Sequence, residues 1–278
     1  MIIESRPRLY KPPFGSVEID RAHRLAAGLR WYSPLTMYRV LNEMVSDKRI
    51  SPNGVGVTGV VKSLGPAVHF NGSSTAFFDM GEPPTTIGFG ALTVACQVFF
   101  TGAGTDNPFI AKAGNVSAGY ALKQASAGGT IDFQGPSTGN QGATTTGTYL
   151  NRWVTILGTW DGANAVVLVY DVKGALLERV STATTGGWGS DGQNIRVTGW
   201  NDSTTTQQTC DMTWVGIWNR AFSIQDGRWL AAEPYAFLKP RPAVRYWGII
   251  PADAGGMLST GGAVLNTSPR RQILARFP

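Results

Sequence analysis

The run Asn151-Arg152-Trp153-Val154-Thr155-Ile156-Leu157-Gly158-Thr159-Trp160-Asp161-Gly162, followed by Val166-Val167-Leu168-Val169-Tyr170-Asp171, spells a β-hairpin. Trp153, Thr155, Leu157 and Thr159 alternate with Val154, Ile156, Gly158 and Trp160, the period of two that a strand imposes. Asp161-Gly162 opens a short loop, since glycine accepts a positive φ and aspartate closes an Asx turn. A second β-branched run then returns. A chain with this hairpin near its middle is expected to be all-β.

The rest of the chain agrees. Its 35 glycines lie between β-branched runs rather than in triplets, so they mark turns. Ten strands are expected between residues 67 and 221, at 68–70, 76–79, 92–100, 109–112, 120–123, 130–133, 153–160, 166–172, 195–199 and 212–218. Many short strands with Gly, Asn and Asp turns point to a two-sheet antiparallel jelly-roll sandwich. In 92–100, Leu92, Val94, Cys96, Val98 and Phe100 share one face, and Thr93, Ala95, Gln97 and Phe99 share the other. That alternation predicts a half-buried strand.

Ser223-Ile224-Gln225-Asp226 opens one short helix that runs to Glu233, where Pro234 stops it. Residues 1–62 are irregular and broken by proline, and they read as an N-terminal arm. Ser33-Pro34 suits the start of a helix through Met44, while Leu29-Arg30-Trp31-Tyr32 suits a strand equally well, and both readings stay open. The expected division is an arm over 1–62, a jelly-roll domain over 63–238 and an extended C-terminal arm over 239–278.

The net charge of +6 gathers at the ends, with Arg6, Arg8 and Lys11 opening the chain and Lys239, Arg241, Arg245, Arg270, Arg271 and Arg276 closing it. Basic termini of this kind suit assembly with a neighbour better than nucleic-acid binding, which would place a basic stripe on the domain itself. No run approaches the roughly 20 apolar residues of a membrane span, and the opening residues lack the apolar core of a secretory signal. The chain is therefore expected to fold reduced, with Cys96 and Cys210 as two buried thiols that act as small hydrophobes.

Five segments, in order, resemble the laminin-G-like, concanavalin-A-like jelly rolls. Phe70-Asn71-Gly72-Ser73-Ser74-Thr75-Ala76-Phe77-Phe78-Asp79-Met80-Gly81 is similar to the opening strand pair of that family. Leu92 to Phe100, Phe109-Ile110-Ala111-Lys112 and Trp153 to Gly162 are similar to successive inner strands. Cys210-Asp211-Met212-Thr213-Trp214-Val215-Gly216-Ile217-Trp218-Asn219-Arg220-Ala221-Phe222-Ser223 resembles the closing strand and helix cap. The likeness covers about residues 67–235. The flanks resemble copies carried by tailed bacteriophages, through a leader at Ser16-Val17-Glu18-Ile19-Asp20 to Leu25-Ala26-Ala27-Gly28-Leu29 and an ending at Glu233-Pro234-Tyr235-Ala236-Phe237-Leu238.

Some jelly rolls of this shape are retaining glucanases, whose chemistry needs two carboxylates about 5 Å apart. The glutamates Glu4, Glu18, Glu43, Glu82, Glu178 and Glu233 include no two within one strand's length. Glu178 and Asp171 flank one hairpin turn, where a carboxylate is ordinarily solvated. His69 lies in a strand and reads as structural rather than as the base of a serine nucleophile. No catalytic residue and no metal ligand is therefore assigned. Calcium is the one metal worth weighing, through Asp106, Asn107, Asp191 and Asp202 in loops, although these form no dense cluster.

Sugar binding needs an exposed aromatic ring and loop amides. Trp188 in Gly186-Gly187-Trp188-Gly189 and Trp200 in Gly199-Trp200-Asn201-Asp202 suit the ring by type, with Asn194, Asn201 and Asp202 beside them. Packing of both rings on the sandwich edge or on another subunit is the competing reading. Trp153, Trp160, Trp214 and Trp218 lie on strands and are expected in the core or on a sheet surface.

The resemblance implies a non-enzymatic virion structural protein of a bacteriophage, assembled in the host cytoplasm. A tail-tip or baseplate position comes first, where a jelly-roll fold meets host-surface glycans. A capsid decoration protein is the alternative, and a glycan hydrolase is disfavoured by the missing glutamate pair. The partners implied are other virion proteins, further copies of this chain and host carbohydrate, with no nucleic acid, no membrane insertion and no cofactor.

Overall fold

The computed structural model describes residues 17–35, 41–42, 44–45, 49–53, 56–80, 90–102, 104–112, 119–135, 142–185, 194–200 and 207–240. In chain order the strands are β1 (Val17–Ile19), β2 (Leu29–Pro34), β3 (Leu41–Asn42), β4 (Arg49–Asn53), β5 (Val57–Lys62), β6 (Gly65–Asn71), β7 (Phe77–Asp79), β8 (Leu92–Phe100) and β9 (Asn107–Lys112). They continue as β10 (Tyr120–Gln124), β11 (Ile131–Gln134), β12 (Gly142–Thr144), β13 (Trp153–Trp160), β14 (Asn164–Tyr170), β15 (Leu176–Ala183), β16 (Arg196–Val197), β17 (Thr209–Trp218) and β18 (Leu238–Pro240). One α-helix, α1 (Ile224–Ala232), follows β17, and a 3-10 turn spans Arg24–Ala26.

The strands form two large antiparallel sheets, the all-β sandwich that the period of two predicts. One runs β15-β14-β13-β8-β17-β6-β5, with β2 added on β17. The other runs β12-β11-β10-β9-β16-β7-β4-β3. The hairpin read first from sequence is β13–β14, in register from Thr155 opposite Tyr170 to Trp160 opposite Ala165. Strand β17 keeps β8 on one side along its length. On the other side it pairs with β6 through Met212 and with β2 from Trp214 onward. Its pairing with β8 slips between Met212 and Trp214, where the partner changes.

Between the sheets lies a core that includes Val94, Cys96, Val98, Val154, Ile156, Phe109, Leu122, Phe133, Val167 and Val215. Cys96 and Cys210 are both free thiols buried there. Burial pushes both thiols well above the usual range, which keeps them protonated and unreactive.

A second core lies on the outer side of the first sheet. Ala95, Leu157, Leu168, Tyr170, Trp214 and Trp218 are covered there by Leu25, Tyr32, Leu230, Ala231, Tyr235 and Phe237. Polar anchors hold this cover in place. Trp218 Nε1 donates to the Leu25 carbonyl at 2.7 Å, and the Tyr32 hydroxyl donates to the Pro234 carbonyl at 3.1 Å. The Tyr170 hydroxyl donates to the Ile224 carbonyl at 2.9 Å and is pushed up to about 12 by burial. Trp160 is buried as well, and Trp153 is half-buried.

Two expectations are corrected by this layer, and the choice left open near Leu29 is decided for the strand. Strand β8 is buried on both faces, because Thr93, Ala95 and Gln97 lie beneath it rather than in solvent. Their polar groups are satisfied internally: Thr93 Oγ1 donates to the Arg220 carbonyl at 2.8 Å, and Thr213 Oγ1 donates to Gln97 Oε1 at 2.7 Å. No helix starts at Ser33-Pro34, since both belong to β2 and Leu41–Asn42 is a strand. The boundary between an arm over 1–62 and a domain from 63 is also corrected for the described residues. There β2 and β5 belong to the first sheet and β4 to the second, while β1 pairs with β18. Beyond Pro240 the C-terminal arm lies outside the described residues.

Candidate functional site

Trp200 shows how the second sheet treats its outer face. Its ring lies against Ala111 and Ala121, which stand opposite each other on β9 and β10. Two small side chains side by side leave a shallow seat that an indole fills. Trp200 Nε1 donates to the Asp106 carbonyl at 2.9 Å, its own carbonyl accepts from Arg196 at 2.6 Å, and Lys123 Nζ stands 5.6 Å from the ring centroid. The ring is only 2% exposed. The expectation of a solvent-facing Trp200 is therefore corrected: its apolar face is spent on the sheet.

Asn194 donates from Nδ2 to Asp79 Oδ2 at 3.2 Å, and Arg196 Nε lies 3.6 Å from the same oxygen. Trp188, Asn201 and Asp202 lie outside the described residues. Of the five residues proposed for a sugar, the structure thus places Asn194 and Trp200, both on the second sheet's side, joined through Arg196.

The remaining candidates have structural duties. His69 Nδ1 lies 2.7 Å from Asp211 Oδ1, and Lys62 lies 2.9 Å from the other oxygen. This puts His69 in an ion-pair cluster across β5, β6 and β17. Asp106, weighed for calcium, is paired with Lys123, which also lies 3.7 Å from Asp132. Asp191 lies outside the described residues, and among those described no three metal-ligating side chains gather.

The two turn carboxylates are committed as well, and Glu178 is not merely solvated. Asp171 accepts from the backbone N–H groups of Lys173 and Ala175 at 2.9 and 2.8 Å. Glu178 accepts from the N–H groups of Thr146 and Gly147 and from the Tyr149 hydroxyl at 2.7, 3.0 and 2.5 Å. Burial is the largest single influence and raises the Glu178 carboxyl, but these bonds together outweigh it and leave it below the usual range.

One concave site escaped the reading from sequence. Helix α1 turns Asp226, Gly227, Leu230 and Ala231 inward and leaves Gln225, Arg228 and Trp229 outward. Beside that outward stripe is a cleft of about 380 Å³, lined by Arg24, Lys173, Gln225, Asp226, Arg228, Trp229, Ala232 and Glu233. Trp229 is 37% exposed, and the ring of His23 backs it at 4.6 Å. Asp226 forms the floor. Its carboxylate completes a capping box with Ser223, meets Arg220 at 3.2 Å and lies 2.9 Å from Arg24 Nε. A large aromatic on the polar face of a capped helix was the available signal. It was masked because Leu230 and Ala231, its neighbours, carry the apolar face.

No protein-family model matches the chain, and no curated protein matches it. Solved structures do. Domain 4 of AbnA, a GH43 extracellular arabinanase from Geobacillus stearothermophilus solved in complex with arabinotriose, is similar with a TM-score of 0.59 at 13% identity, over 74% of this chain and 98% of that one. The binding domain of Paraclostridial Mosquitocidal Protein 1 gives 0.58 at 11% identity, over 75% of this chain and 53% of that one. The botulinum neurotoxin serotype G binding domain gives 0.55 at 14% identity, over 75% and 51%. This chain thus spans about half the length of the two toxin domains and nearly all of the arabinanase domain. At such identities the likeness is one of fold: an all-β jelly roll.

Proposed function

We propose that the chain is a non-enzymatic carbohydrate-binding module of a bacteriophage virion, placed at the tail tip or baseplate, where it engages host-surface glycans. The observation that carries the binding half is the likeness to a whole arabinanase domain solved with arabinotriose. The commitment of Asp171 and Glu178 to backbone groups supports binding without cleavage. No cofactor enters this reading, and the self-association it includes joins copies within the particle.

The virion half rests on the flanks. The phage-like leader and ending are far apart in sequence, yet they meet as β1 and β18, with Val17 opposite Pro240 and Ile19 opposite Leu238. They therefore act as one paired element that closes the module.

Two measurements test the two halves. A glycan array probed with the full chain should give saturable binding to a restricted set of saccharides. Quantitative mass spectrometry of purified particles should find the chain at tail-like copy number. A copy number matching the major capsid protein would move the protein to capsid decoration, and absence from particles would overturn the virion half altogether.

A further inference from the structure

We infer that the cleft beside α1 is a saccharide subsite for a pyranose that bears a carboxylate, as a uronic or sialic acid does. This rests on the carbohydrate-binding reading above and gives it a place and a ligand charge.

Three features of the cleft converge. Its apolar wall is Trp229, which is partly exposed and has the His23 ring tilted against it at 4.6 Å. A partly exposed indole is the surface on which a sugar's C–H face packs.

Its cationic rim is built by the β14–β15 turn. Gly174 has φ +83°, and a Cβ there would stand 2.6 Å from the Arg228 carbonyl and 3.0 Å from the Ala232 Cβ. Only glycine lets the turn sit this close to the helix, and Asp171 fixes the turn through the Lys173 and Ala175 N–H groups. Lys173 from the turn and Arg228 from the helix thereby both line the cleft. Among the described residues neither side chain enters an ion pair, and both are exposed.

Its charge balance favours an anion. Of the acidic lining residues, Asp226 is already held by Arg24 and Arg220, and the exposed cations Lys173 and Arg228 outnumber the other, Glu233. Gln225 adds an amide suited to a hydroxyl. The recess is open to solvent, and its volume of about 380 Å³ lies in the range of small-ligand sites.

Titration calorimetry of the full chain with 3′-sialyllactose against lactose, and with trigalacturonate against arabinotriose, tests this. One of the acidic sugars should bind more tightly than its neutral partner. Trp229→Ala should weaken that binding by about tenfold or more. Lys173→Glu should abolish the preference for the acid without altering the fold, since the turn is made by backbone and by Asp171 rather than by the lysine side chain.

Acidic sugars bound equally well by both variants would place the site elsewhere and overturn the inference, leaving the binding module standing. Binding of the neutral partners alone would do the same. A change in oligomeric state with Trp229→Ala, and none in sugar affinity, would make the cleft a protein contact and overturn it. Failure of the unaltered chain to bind any of these sugars or any saccharide of the array would sink both this inference and the reading beneath it.

Discussion

Gly227 is the residue at which propensity and packing disagree most plainly. In an exposed helix, glycine to alanine gains about 1 kcal/mol. Here a Cβ would stand 2.6 Å from the Tyr170 hydroxyl and 2.8 Å from its ring, the group that anchors the helix start. Gly227→Ala is therefore expected to destabilise by about 1–3 kcal/mol through overpacking, and thermal melting reads the sign directly. The tryptophans divide in the same way. Trp200→Ala empties a seat on Ala111 and Ala121 and should cost about 3–5 kcal/mol. Trp229→Ala removes a half-exposed ring and should cost roughly 0.5–1 kcal/mol in the same melt. Residue type alone gave no way to tell these cases apart from sequence. Trp200 is buried because two alanines from different strands meet, and that pairing exists only once the β9–β10 register is known.

At the scale of elements, legibility followed burial. Strands β8, β13, β14 and β17 were readable because their apolar alternation is long and unbroken. Strand β15 was not: Leu176-Leu177-Glu178-Arg179-Val180-Ser181-Thr182-Ala183 is an edge strand, mostly exposed and without alternation. The N-terminal residues were read as an arm because proline breaks them and because the partner of β2 is β17, about 180 positions away. A chain starting at residue 64 would lose β1 to β5 and uncover Trp214 and Trp218. Such a truncation is expected to show no cooperative melt, and a native-like melt would make the N-terminal layer dispensable.

Helix α1 adds a pH dependence of known sign. Burial raises the Asp226 carboxyl, but hydrogen bonds from Ser223 and Arg220 and the charge of Arg220 outweigh it and leave the group below the usual carboxylate range. A lowered folded pKa means stability that is full above the unfolded value of about 4 and lost as pH falls through the folded one. The gap in melting temperature between the native chain and Asp226→Asn should thus be wide at neutral pH and close as the pH drops below about 4. A gap that stays constant down that range would show that Asp226 is not held by charge.

As a whole molecule, the chain is a jelly roll with a third layer, in which the two ends of the described fold close over one sheet while the other keeps its own cover of Trp200. The strands of both sheets pair across long sequence separations, as β2 and β6 do with β17, so folding is expected to be slow. This arrangement leaves the α1 cleft at the seam where the N-terminal 3-10 turn, the β14–β15 turn and the helix meet. The most direct measurement is to incubate the full chain with an oligosaccharide that it binds on the array and follow affinity and chain length together by calorimetry and mass spectrometry. Saturable binding with an oligosaccharide recovered at its original length is the predicted result. Progressive shortening of the sugar would contradict the account, because the module proposed here holds its ligand without cleaving it.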